Sequence, residues 1–83
     1  MSSAVSPEQA SHQAESTKQL LASSDSNLKK ISGRKLTASE QATVEQIQSY
    51  EDQAKKATED GDVQRAYNLA VKANLLSAEL AKH

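Results

Sequence analysis

The chain has 83 residues, 36% hydrophobic and 25% charged, with a formal net charge of −1; that is one small domain with no room for a second core. Zero cysteines exclude disulfides, thiolate metal sites and thiol catalysis together. Near-neutral charge points to neither nucleic acid nor an anionic membrane, and no apolar run approaches the ~18–20 residues of a membrane span or the pattern of a signal peptide.

Two glycines and one proline among abundant Ala, Ser, Gln, Glu and Lys favour helix, and no run alternates as a strand would. The expectation is an all-α domain of three helices over residues 7–83, preceded by a disordered N-terminus at 1–6. "SPEQ" opens the first helix, about 7–32. Ser6 is placed to cap, Pro7 suits the first helical position, and Gln9 completes a capping box. Ala14, Thr17, Leu21, Ser24, Leu28 and Ile31 then recur at spacings of three and four, with Leu20 alongside. "ASSDSN" at 22–27 has the poorest helix propensity of the segment and invites a kink or break.

"SGRKL" ends this helix, with Gly33 in the C-terminal cap position. "TASE" opens the second, about 37–59, with Thr37 and Glu40 in a second capping box. Val44, Ile47, Tyr50, Ala54 and Ala57 fall on one arc, while Gln46, Gln48, Asp52, Lys55 and Lys56 face away. The acids Glu40, Glu45, Glu51 and Asp52 read as solvated. "EDGD" is a turn: Gly61 supplies a left-handed residue and Asp62 caps the third helix, about 62–81.

That helix has two apolar strips. One is Ala66, Leu69, Ala70, Ala73, Leu76 and Leu80; the other is the ridge Tyr67, Val71, Leu75. A helix apolar on two sides is usually sandwiched, so the first helix is expected to cover the ridge. Only fifteen Leu, Ile, Val and Tyr side chains follow residue 5. A core so thin requires very close packing, a partner or a second copy.

The stretch "GDVQRAYNLAVKA" resembles the turn and second helix of a tetratricopeptide repeat. Gly61 and Asp62 match its turn, Ala66 and Ala73 its two small positions seven apart, and Tyr50 the aromatic of its first helix. The resemblance implies an antiparallel hairpin over about 37–81, with the preceding helix packed across it. The chain departs from the family at Gln53, where a leucine is typical, and at Ala57 and Ala70, where bulky residues are; no proline closes the unit. One repeat does not build the family's peptide groove, which needs several stacked units. Residues 28–82 are also similar to C-terminal segments of uncharacterised bacterial proteins, some resembling exported lipoproteins. That likeness implies the bacterial cell envelope or periplasm for a chain whose leader has been removed, and the cytoplasm otherwise.

Candidate sites are few. Lys29, Lys30, Arg34 and Lys35 place four positive charges in seven residues, which reads either as complementing a helix C-terminus or as a site for an anionic ligand such as nucleic acid or lipid head groups. The cluster lacks aromatic residues on which bases stack. Glu59, Asp60 and Asp62 lack the spacing of a calcium loop. His12 and His83 lie at opposite ends with no second ligand nearby. No serine sits in a nucleophile-elbow context, so neither enzyme activity nor a cofactor or metal is expected. The ridge Tyr67, Val71, Leu75 is the candidate partner surface, for a protein partner or for self-association. The function expected is non-catalytic protein–protein interaction or structural support, with anionic-ligand binding at the 29–35 loop as the alternative.

Overall fold

A computed structural model describes residues 6–82; residues 1–5 and His83, with the expectations placed on them, lie outside it. The described residues form three α-helices, α1 (Pro7–Ile31), α2 (Ala38–Glu59) and α3 (Val63–Ala81), with no strand. Local chemistry sets their starts. Ser6 Oγ accepts from Gln9 N and Gln9 Oε1 accepts from Ser6 N, and Thr37 and Glu40 repeat this reciprocal pair. Asp62 Oδ1 accepts from Arg65 N at 3.2 Å. Each cap satisfies orphan amides of a first turn.

The ends differ from one another. At the α2–α3 turn Gly61 takes φ +79°, with Gly61 N donating to Thr58 O and Asp62 N to Ala57 O at 2.8 Å. This is the paired bonding that closes a helix through a left-handed glycine. Gly33 does not repeat it. The α1 C-cap is Ser32 in the right-handed region, its hydroxyl donating to Lys29 O at 2.9 Å, and Gly33 keeps a φ outside the left-handed range. The low propensity of 22–27 also fails to break α1, which runs unbroken through it. Ser24 is wholly buried there and Asn27 Nδ2 donates to Ser77 Oγ at 3.1 Å, so tertiary packing outweighs propensity.

The three helices lie side by side in an elongated body of 50 × 19 × 17 Å. α3 is the shared element: α1 and α2 each pack along it and meet one another at few points. α1 runs parallel to α3, since Gln13 bonds Gln64, Asn27 bonds Ser77 and Arg34 bonds Leu80 O in ascending order. α2 runs antiparallel to α3, with Ala54 and Ala57 clustered against Ala66, Leu69 and Ala70 and Ile47 against Ala73 and Leu80 further along. Leu20 and Leu21 join the first cluster, and Leu28, Leu36, Val44 and Leu76 the second.

The side chains at the α1–α3 seam are small and partly polar. Thr17, Ser24 and Ile31 recur at intervals of seven and are the buried residues of α1. On α3 the buried residues are Ala66, Leu69, Ala70, Ala73, Ser77 and Leu80. This corrects the expectation that α1 covers Tyr67, Val71 and Leu75: α1 seats beside Ala70 and Ser77, and the ridge is left at its margin. Two of the three seam hydroxyls find local acceptors, Thr17 Oγ1 donating to Gln13 O and Ser77 Oγ to Asn74 O, which removes most of the cost of burying them, while Ser24 Oγ has none.

The two glycines give a direct check. Neither has a heavy atom within 4 Å of an added Cβ, so backbone conformation alone separates them. Gly61→Ala is expected to lower stability by about 1–2 kcal/mol, whereas Gly33→Ala leaves it within about 0.5 kcal/mol or raises it. Urea midpoints of the two variants decide this.

Candidate functional site

Arg34 is set apart from the rest of the basic loop. Its Nη2 donates to Glu40 Oε2 at 3.3 Å and to Leu80 O at 3.2 Å. It therefore ties the α1–α2 loop to the start of α2 and to the last turn of α3, where carbonyls lack helical partners. Glu40 serves twice, since its Oε1 also accepts from Thr37 N. Lys29, Lys30 and Lys35 are exposed, and the first two occupy the last turn of α1, where they complement its dipole.

The acidic turn is local chemistry as well. Asp62 caps α3, and Asp60 pairs with Lys56 at 3.6 Å with both side chains largely in solvent. Among the described residues no three His, Cys, Asp or Glu converge as metal ligands, and no helix is long and apolar enough to cross a membrane. Ala66 and Ala73 are 2% and 0% exposed, at the seams where the helices meet.

The ridge on α3 is open. Tyr67 and Val71 are half-buried, and Leu75 is 63% exposed, the exposed large hydrophobic side chain of the described residues. At one end Tyr67 joins Glu8, Gln9, His12, Gln13 and Ser16 around a shallow hollow of about 460 Å³. At the other, Leu75 borders a hollow of about 320 Å³ with Gln46, Tyr50, Lys72 and Leu76. There Lys72 Nζ stands 5.8 Å from the centroid of the Tyr50 ring, a cation–π distance, and Gln46 Nε2 donates to Tyr50 Oη at 3.3 Å.

A feature that the sequence reading assigned to solvent is inside the protein. Glu51 is 5% exposed. Burial is the main influence on its carboxyl and pushes it above the usual carboxylate range. The neighbouring Ser24 acts against this, the neighbouring Asp25 carboxylate reinforces it, and Lys55 opposes it weakly. No partner comes within bonding geometry of Glu51 Oε2 or of the buried Ser24 Oγ. A signal for this was present: Glu51 stands four residues after Ile47 and three before Ala54, on the buried stripe of α2. An acid in such a slot breaks the apolar pattern where it should continue.

The same region contains a second uncovered surface. Because α1 and α2 hardly touch, a groove of about 420 Å³ opens between them, with Leu28, Ile31, Leu36 and Val44 on its walls and Asp25 and Glu51 beside them. Further along the seam a hollow of about 330 Å³ is lined by Ala14, Thr17 and Leu21 from α1 with Lys55 and Thr58 from α2. No α3 residue lines either one.

Comparison with known proteins returns no match: no family model fits the chain, and no curated protein or solved structure is similar to it.

The buried carboxyl makes stability depend on pH in a defined sense. A folded-state pKa raised above the unfolded value means that the folded chain takes up the proton first as pH falls. The destabilisation from ionised Glu51 is thus present at neutral pH and disappears as pH drops through its folded titration toward the ordinary carboxylate range. Glu51→Gln is expected to be more stable than the parent at about pH 7, with a smaller gap at about pH 4, where the unfolded carboxyl also takes up its proton. Urea midpoints of the pair at both values test this, and a gap that widens on acidification contradicts it.

Proposed function

We propose that the protein is a non-catalytic interaction module that docks a protein partner, or a second copy of itself, through the ridge Tyr67, Val71 and Leu75. The observation carrying this reading is the 63% exposure of Leu75 at the end of a ridge whose other members are only half-covered. A single exposed leucine is unremarkable. One continuing an i, i+4, i+8 line with a tyrosine and a valine is an anchor pattern for helix-to-helix docking. The small core adds to the case, since a contact there supplies apolar burial that 83 residues provide sparingly.

The α2–α3 hairpin is read as tetratricopeptide-like, supported by the burial of Ala66 and Ala73, the two matching small positions, and by the left-handed Gly61, while Ala57 and Ala70 depart from the family's bulky positions. The anionic-ligand reading of the 29–35 loop has less behind it, because Arg34 is already engaged by Glu40 and Leu80 O.

Val71→Glu places a charge in the middle of the ridge while leaving the α1–α3 and α2–α3 seams untouched. Expected is concentration-dependent association of the parent in sedimentation velocity, or retention of a partner, either of which the variant loses while its far-UV CD is unchanged. A strictly monomeric parent, with a folded Val71→Glu that loses no partner, defeats the reading.

A further inference from the structure

The groove between α1 and α2 is lined by residues of both helices and the loop that joins them, and by none of α3. Both helices rest on α3, and the walls of the groove carry Leu28 and Ile31 at i, i+3 on α1 and Val44 on α2, half-buried or buried but not closed over. Beside this apolar wall Glu51 is 5% exposed with Oε2 unpartnered, and Asp25 of α1 lines the same groove. Among the described residues, neither Lys29, which also lines the groove, nor Lys55 forms an ion pair with Glu51. An ionised carboxylate out of water and beside a second carboxylate is costly until a cation meets it.

We propose that this groove docks an amphipathic α-helix of a partner protein, whose apolar stripe covers Leu28, Ile31 and Val44 and carries one Lys or Arg opposite Glu51 and Asp25. Charge selects this occupant. A wholly apolar helix would bury Glu51 more deeply and leave it unpaired; a helix with an acid there would add a third negative charge. A second copy is disfavoured by its own side chains. The exposed ridge of the chain has Lys72 beside it, and that ammonium already stands over the Tyr50 ring, while the buried stripes of α1 and α2 contain no basic residue. A guanidinium suits the site best, because its fork reaches two carboxylates at once.

The groove is independent of the ridge and is tested separately. Two synthetic helical peptides with the same Leu/Ala stripe, one with Arg and one with Leu at the central stripe position, are titrated against the full 83-residue chain by fluorescence anisotropy. The Arg peptide is expected to bind at least about tenfold more tightly. Glu51→Gln removes that preference with unchanged far-UV CD, Asp25→Asn at its exposed position narrows it, and Val71→Glu leaves it intact. The proposal is overturned if neither peptide binds, if the two bind equally, if the Leu peptide binds more tightly, or if the preference survives Glu51→Gln. Self-association of the parent that Glu51→Gln abolishes would show a second copy in the groove and overturn it equally.

Discussion

Close approach to α3 is the constraint on which the rest of the molecule depends. Four of the six residues that α3 buries, Ala66, Ala70, Ala73 and Ser77, are small, and three of these four are wholly inaccessible to solvent. Small side chains let helix axes come nearer than leucines permit. The helices on either side are matched to this: α2 brings Ala54 and Ala57, and α1 brings Thr17 and Ser24. Dispersion contacts across such seams are individually weak and collectively large, so a chain with few large apolar residues gains cohesion from proximity. The hydroxyls follow from the same geometry, as side chains of the right size whose polar atoms mostly find an acceptor within their own helix.

A shared central helix also decides what stays uncovered. With α1 and α2 both committed to α3, the space between them is left as a groove, and the flank of α3 that neither reaches is left as a ridge. These surfaces differ chemically. The ridge is apolar with polar neighbours, whereas the groove sets an apolar wall beside a buried acid. Arg34 has a different part, linking the α1–α2 loop to the end of α3 through Glu40 and Leu80 O, so that the parallel pair is fastened at the end opposite the α2–α3 turn.

Much of this could be read directly from the residues. The capping boxes at Ser6–Gln9 and Thr37–Glu40, the left-handed Gly61 and the cap at Asp62 depend on local chemistry that any context preserves, and these positions fixed the helix starts. The buried stripes of α2 and α3 followed from periodicity. What sequence left open is non-local. Ser24 and Asn27 look like helix breakers until α3 is beside them. Gly33 looks like a left-handed cap, but Ser32 closes the helix with its own hydroxyl. Glu51 looks solvated because acids usually are, although its place in the stripe of Ile47 and Ala54 pointed inward. The ridge was legible as apolar, but not which strip of α3 the first helix would choose, since that depends on side-chain size at both surfaces.

The claim that the fold rests on close contact along α3 is tested most directly by the urea-unfolding stability of Ala70→Leu. Ala70 is 0% exposed, and leucine there raises helix-compatible apolar content while adding volume to the seam. The account predicts a loss of about 1–3 kcal/mol, as overpacking of a closed interface brings. Equal or greater stability in the variant would mean that the helices do not approach closely at this point, and would contradict it.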